Sequence, residues 1–380
     1  MRRRDLLALF AAAASSPAAQ KPRRVAVIGH TGRGDWGHGI DTVWSAFPAI
    51  EVVAVADPDA AGRAKAQQRC RAARSYADYR EMLRTEKPDL VSICPRHLDQ
   101  RVEMLTAAAE AGAHVFQEKS FAKDLADADR MVQVVQDAGI KLQLAHQMRS
   151  SPYVKKVREI VGAGEIGDIQ EVRTRGKEDT RAGGEDLMVL GSHLMDVMRM
   201  LLGDPQSVVA HVTTKGGPMQ PGTPREPIGP IAGREIAAMY AFDGGVHGYF
   251  SSKDSNQTHP LRFGTWIYGS RGVIYLPNAI YPGGGETAVL RSASWLPGDG
   301  ANWEPIQADE PEGFSHADRH ILANALLVAD LLESIDQDRK PVCSEVDGRW
   351  TIEMIVGVYQ SQAKGRELRF PLEDRGHPLA

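Results

Sequence analysis

At 380 residues the chain is longer than a single hydrophobic core usually serves, so two domains are expected. Apolar residues make up 42% of it and charged residues 25%, and the formal net charge is −4, which excludes the strongly basic surface of a nucleic-acid-binding protein. Three scattered cysteines, Cys70, Cys94 and Cys343, supply neither a disulfide framework nor the spacing of a metal site.

The chain opens as an export signal would. Met1-Arg-Arg-Arg-Asp-Leu-Leu-Ala-Leu-Phe has a basic head and a short apolar core, followed by the small residues Ser15 to Ala19. Such a core is too short for a stable membrane anchor. Arg3-Arg4-Asp5-Leu6-Leu7 resembles the twin-arginine export motif. Residues 1–19 are therefore read as a signal peptide, cut after Ala18 or one residue later, and the mature protein as periplasmic or secreted without a membrane anchor.

The first predicted strand is Val25 to Ile28. A glycine-dense turn follows it, with Gly29, Gly32, Gly34 and Gly37, and a helical pattern is expected from Ile40 through Val43, Trp44 and Phe47. Strand, glycine loop and helix N-terminus together suit a pyrophosphate, because backbone N–H groups can approach it closely. Gly32-Arg33-Gly34-Asp-Trp-Gly37 fits G-x-G-x-x-G, yet Gly29-His-Thr31 precedes it, as if three residues were inserted. Which glycine meets phosphate stays open among Gly29, Gly32 and Gly34, with Thr31 and Arg33 beside them. A second apolar run, Val52 to Ala56, ends on Asp57, about 20 residues past the glycines, where an acid bonds a ribose 2′-OH. Asp59, after Pro58, reads equally well as a helix cap.

Strands and helices then alternate. Leu90 to Cys94, His114 to Gln117 and Leu142 to Ala145 read as strands, with helices over Val102 to Ala111 and through Met131, Val134 and Val135. This is the pattern of a doubly wound parallel sheet, with ligand beyond the strand C-termini. After residue 150 the style changes. A helix from Tyr153 to Val161 precedes strand-like runs at Ile169 to Arg175, Val208 to Val212, Glu235 to Phe242, Val246 to Ser251, Phe263 to Tyr268 and Val273 to Leu276. Phe242-Asp-Gly-Gly-Val246 joins two of them as a hairpin does. Gly216 to Gly233 reads as a long loop, and helices close the chain at Ile321 to Ile335 and Thr351 to Gln362. The expected class is α/β: a Rossmann domain over 22–148 and an α+β domain over 149–380 with a large mixed or antiparallel open sheet.

Three ordered motifs carry a family resemblance. Glu118-Lys119-Ser120 follows a strand, Gly191-Ser-His193-Leu-Met-Asp196 lies on a predicted helix, and Gly365-Arg-Glu-Leu-Arg-Phe-Pro371 closes the chain. Together with the glycine loop they resemble the Gfo/Idh/MocA oxidoreductases, named for glucose–fructose oxidoreductase and inositol dehydrogenase, from about Arg23 onward. The resemblance implies hydride transfer between a sugar or polyol hydroxyl and a nicotinamide cofactor. It assigns catalysis to Lys119 and His193 and places Pro95 and Glu118 at the cofactor. NAD is favoured over NADP, because a carboxylate at Asp57 would repel a 2′-phosphate. NADP stays the alternative. No metal is expected, and the partners expected are a carbohydrate substrate and further copies of the chain, paired through the second sheet.

Departures from the family pattern bear on the chemistry. Val189 stands where an Asp is common one turn before His193, so Glu185 or Asp186 is left to supply a carboxylate, with Asp186 the choice for a catalytic role. Capping of that helix is the plainer role for either. Arg96 and Asp99 replace Asn and His after the Cys94-Pro95 pair, and Arg96 either binds substrate or pairs with Asp99. The leading expectation is an exported dehydrogenase with tightly held cofactor. Redox-neutral cleavage or epimerisation of a glycoside through a transient ketone is the alternative, and a nucleotide-holding binding protein without turnover is the third.

Overall fold

The structure, a computed structural model, describes residues 22–215, 217, 219–222, 227–254, 262–277, 287–298, 302–309 and 319–380. The signal-peptide reading and parts of the predicted loop from 216 to 233 lie outside the described residues. The described chain forms two compact units, one taking residues up to 123, 127–147 and 310–349, the other 124–126, 148–309 and 350–380. No helix among the described residues is long and apolar enough to cross a membrane.

The first unit is a six-stranded parallel sheet in the order β3-β2-β1-β4-β5-β6. Its strands are β1 (Arg23–Ile28), β2 (Ile50–Ala56), β3 (Arg74–Tyr76), β4 (Leu90–Ile93), β5 (His114–Gln117) and β6 (Leu142–Leu144). The helices between them are α1 (Ala60–Cys70), α2 (Tyr79–Glu86), α3 (Arg101–Glu110) and α4 (Leu125–Ala138). Strand order reverses between β1 and β4, which opens the ligand crevice beyond their C-terminal ends. β1 and β4 read as near-continuous apolar runs because helices cover both faces of the sheet.

The helix expected from Ile40 does not form. Only a four-residue 3₁₀ turn, Val43–Ala46, stands between β1 and β2. Gly39 holds a left-handed φ of +81° just before the segment, and Phe47, ahead of Pro48, is extended. A left-handed residue at one end and an extended residue before proline at the other bound the segment. The residues that suggested it are nevertheless buried: Ile40, Val43, Trp44 and Phe47 all belong to the core. Its layer is filled from far along the chain by α8 (Arg319–Asp336), whose Ala325, Leu327, Val328 and Leu331 join Val25, Val27 and Trp44 in one cluster. A reading of 149–380 as a single later domain therefore misses the helix that completes the first core.

The second unit carries a nine-stranded mixed sheet among the described residues. In chain order its strands are β7 (Ile169–Arg175), β8 (Ser207–Thr213), β9 (Glu235–Ala241), β10 (His247–Lys253), β11 (Gly264–Gly269), β12 (Gly272–Pro277), β13 (Ala288–Leu290), β14 (Glu304–Pro305) and β15 (Leu368–Arg369). β10 runs parallel to β7 and antiparallel to β9, and the Phe242–Val246 connection is the expected hairpin, closed by a 2.9 Å bond from Phe242 N to Val246 O. Burial alternates along the strands. Val172, Ala238, Tyr240, Phe250 and Ile267 are buried, while Arg173, Met239, Tyr249, Trp266 and Tyr268 retain exposure on the other face. Helix α5 (Pro152–Gly162) begins the unit. Gly184–Asp186 (α6) runs through a π-helical segment, Leu187–Gly191, into α7 (Ser192–Leu202). The last helix is α9 (Glu345–Lys364), where the Tyr240 hydroxyl donates to Met354 O at 3.2 Å.

Candidate active site and dinucleotide loop

β1 ends directly on Gly29, whose N–H donates to Ala56 O at 2.9 Å. The loop then folds on itself: His30 and Asp35 exchange main-chain bonds of 3.2 and 2.9 Å, and Gly32 N donates to Asp35 Oδ1 at 2.9 Å. Gly32 is exposed with φ +76°, and a Cβ there would meet open space, so its backbone is accessible to a ligand. Gly34 is different. It is buried at φ +85°, and a Cβ would stand 2.5 Å from His97 N and 2.6 Å from Arg96 N. Only glycine lets the loop after β1 meet the loop after β4, where Arg96 N donates to Gly34 O at 3.0 Å. Glycines thus serve close approach in the crevice at the strand-order reversal, and the loop fits a dinucleotide. The dipole of a following helix is not part of it, since that helix is absent.

Asp57 lies beneath this loop with no exposed surface. Its carboxylate accepts from Thr31 N at 3.1–3.2 Å, from Thr31 Oγ1 at 2.6 Å and from Asp59 N at 2.9 Å. The acid that the sequence assigns to a ribose is thus the anchor of the glycine loop through Thr31. Asp59 caps α1, accepting from Gly62 N at 2.6 Å. Arg33 is half-exposed and forms an ion pair with Asp99. Arg33, not singled out for this in the sequence, is thus a partner of Asp99.

Beyond β5 the Glu118-Lys119-Ser120 segment is buried, Glu118 completely and Lys119 to 6% exposure. Its main chain is clamped by Arg101, at the start of α3. One guanidinium nitrogen of Arg101 donates to Glu118 O and, at 3.3 Å, to Ser120 O, while the other donates to Pro95 O at 2.6 Å. Burial pushes this guanidinium down to about 10. The Lys119–Ser120 peptide is cis. Burial would raise the Glu118 carboxyl, but the adjacent His38 ring, its hydrogen bonds and the Lys119 ammonium outweigh that and hold it at about 2.

Two residues of this cluster escaped the sequence reading. Arg101 opens a helix, where a charged residue reads as solvated. His38 sits between Gly37 and Gly39, and its position among glycines just past a strand end was the one available signal.

In the second unit His193 begins α7 and is 6% exposed. Asp196, three residues on, is buried and takes a bidentate pair from Arg149, with Nε at 2.8–3.0 Å and Nη2 at 2.8 Å. Asp186 is fully buried as well. It accepts from Lys177 N at 3.2 Å, Glu178 N at 3.1 Å and Ser252 Oγ at 2.7 Å, and burial raises its carboxyl above the usual range. It thereby braces the turn after β7 against α6. It is not the N-cap, which is Gly183. Two α-turns span about 7 residues, and the π segment adds one more. Glu185, eight residues before His193, therefore falls on the His193 side of the helix, and Asp186 does not.

Residues 23–146 match the profile of the GFO/IDH/MocA oxidoreductase family, NAD-binding Rossmann fold, and residues 154–275 match the GFO/IDH/MocA C-terminal domain. The protein is an NAD-binding oxidoreductase, and it belongs to the Gfo/Idh/MocA family. An uncharacterised oxidoreductase of Rhizobium meliloti is 30% identical over 247 residues, 61% of this chain and 68% of that protein. A levoglucosan dehydrogenase of Pseudarthrobacter phenanthrenivorans is 29% identical over 53% of this chain and 58% of its own length. A D-apiose dehydrogenase of Paraburkholderia graminis is 25% identical over 85% of this chain and 84% of its own. Among solved structures, a levoglucosan dehydrogenase in complex with NADH and levoglucosan shares the fold, with a TM-score of 0.74 at 20% identity, covering 92% of this chain and all of the other.

Proposed function

We propose that this protein is an exported NAD-dependent dehydrogenase that oxidises a hydroxyl of a sugar or polyol, with Lys119 as its proton-handling group. One observation carries this reading: Lys119 stands just beyond a strand end of the dinucleotide sheet, nearly buried, on a main chain clamped by Arg101. The relatives named for levoglucosan and D-apiose support the substrate class. NAD, when bound, would supply the acceptor for the hydride of the carbinol carbon. Gly32 and its neighbours would hold the pyrophosphate, and Asp57 would act on the cofactor through the Thr31 loop it anchors. Lys119 takes the hydroxyl proton or stabilises the developing alkoxide at its Nζ. His193 is the further acid–base group, and Asp186 positions the helix that carries it.

Val189, in place of a carboxylate, is compatible with a second reading in which the hydride returns to the substrate after a glycoside is cleaved or epimerised. Two further proposals follow from the start of the chain and from the second sheet. Arg3 and Arg4 direct the folded protein through the twin-arginine route to the periplasm, with its cofactor already tightly held. The half-exposed aromatic face pairs copies of the chain. It offers Trp266 4.7 Å from Tyr275, and Arg173 5.0 Å over Tyr268.

The test is to incubate the purified protein with NAD and, in turn, levoglucosan, D-apiose and myo-inositol, following NADH absorbance and products. NAD reduction with at least one sugar is expected, and nucleotide should be released on denaturation. Glycoside cleavage without net NADH would move the second reading to first place, and neither reaction with any sugar would overturn both.

A further inference from the structure

We infer that His38 is a positioning residue for Lys119: it holds the buried Glu118 carboxylate and, through it, sets how firmly the Lys119 amine keeps its proton. This rests on Lys119 being the proton-handling group, as proposed above. His38 lies in the loop after β1, whereas Glu118 and Lys119 follow β5, so the contact joins two strand ends of the first sheet. The His38 main-chain N–H donates to Glu118 Oε2 at 3.1 Å, and its Nδ1 lies 3.2 Å from Oε1. An ionised carboxylate can only accept, so Nδ1 carries the hydrogen. Gly37 makes the approach possible. At φ +68°, a Cβ there would sit 2.7 Å from Glu118 Oε2. The loop is held on its other side by Asn324 of α8, whose Nδ2 donates to His38 O at 2.9 Å, and Gln147 Nε2 in turn donates to Asn324 Oδ1 at 3.1 Å.

Among the described residues of the first unit, few charged groups face this carboxylate. They are His38 from the loop, Lys119 from its own segment and Arg101 from α3, with the Cys94 thiol beyond β4 and the uncharged Asn324 from α8. Arg101 is committed to the carbonyls of Pro95, Glu118 and Ser120. Burial pushes the Cys94 thiol well up, so it stays neutral. His38 and Lys119 therefore share one buried negative charge. The His38 side chain is 36% exposed and Glu118 has no exposed surface, so His38 is the end of this row that meets water. Removing His38 throws the carboxylate onto Lys119 and favours its ammonium, whereas neutralising Glu118 disfavours it.

The two changes must therefore move Lys119 in opposite directions, which a merely structural contact would not do. The test is an NMR titration of protein carrying ¹³C at lysine Cε, with the Lys119 signal assigned by its loss in Lys119→Arg. Thermal unfolding of every variant is measured alongside. His38→Asn and His38→Gln, which both keep the main-chain bond to Glu118, should raise the Lys119 midpoint by about 0.5–1 pH unit. Glu118→Gln should lower it by about 1–2 units. If Glu118→Gln does not fold, the two His38 variants decide alone. A midpoint unmoved or lowered in folded His38 variants overturns the inference. The catalytic reading fails separately, through undiminished NAD reduction by Lys119→Ala, and would leave the His38–Lys119 coupling measurable.

Discussion

Glu118 in the first unit and Asp186 in the second are both carboxylates without exposed surface, yet their acidities move apart. Glu118 is held at about 2 and Asp186 is raised. Burial acts upward on both, so the partners decide. Glu118 meets the His38 ring and the Lys119 ammonium, whereas Asp186 meets two main-chain N–H groups and a serine hydroxyl. Neutral donors satisfy the lone pairs of a carboxylate without offsetting its lost hydration, while a cation does both. The difference separates a carboxylate held by charged neighbours from one held as a brace.

The contrast implies opposite pH dependences of stability. A depressed carboxyl contributes stability that is present above its unfolded value, and that is lost as pH falls through the folded one. For Glu118 the window runs from about 4.5 down to about 2 and is worth on the order of 3 kcal/mol. Glu118→Gln should therefore lower stability at neutral pH by roughly that amount and flatten the acid limb in urea unfolding measured across that window. An unchanged acid limb would show that the charge pairing is not what holds the carboxylate. Asp186 works in the other direction. Its raised value makes its contribution greatest below the unfolded value near 3.8, declining as pH rises through the folded one. Asp186→Asn removes that decline but turns an amide N–H₂ toward a donor, so a net loss of about 1–2 kcal/mol is expected at pH 7. A loss as large as that of Glu118→Gln would erase the distinction between the two sites.

A smaller effect tests how Asp57 serves the cofactor. Thr31→Val removes the 2.6 Å hydroxyl bond that ties the glycine loop to Asp57. NAD binding followed by calorimetry should weaken by about 1 kcal/mol. Asp57→Ala should weaken it further, by about 1.5–3 kcal/mol. If Thr31→Val binds NAD as well as wild type while Asp57→Ala does not, Asp57 meets the ribose directly.

Much of this architecture was legible because it is periodic. Apolar runs ending at Ile28, Ala56 and Phe116 and the alternation from Ile169 onward mark strands whose burial the structure shows. The segment from Ile40 to Phe47 misled for a physical reason. Its four apolar residues are core residues at helical spacing, but the left-handed Gly39 and the extended Phe47 ahead of Pro48 bound a segment that forms only a 3₁₀ turn. Which sheet α8 would cover was also hidden, because an amphipathic pattern shows that a face is buried and not against what. Lys119 and Glu118 could be picked out by motif. His38 could not be paired with Glu118, since 80 residues separate them and the contact depends on loop geometry. Asp186 illustrates the converse: position in sequence suggested catalysis, and only its three donors reveal a brace.

The central claim is that Lys119 handles the substrate proton, and single-turnover kinetics of Lys119→Ala test it most directly. With a sugar that the wild-type protein oxidises, the variant should bind NAD as before and unfold at nearly the same temperature, while hydride transfer slows by about 10²–10⁴-fold. Hydride transfer at the wild-type rate, with the same sugar and the same bound NAD, would contradict the account.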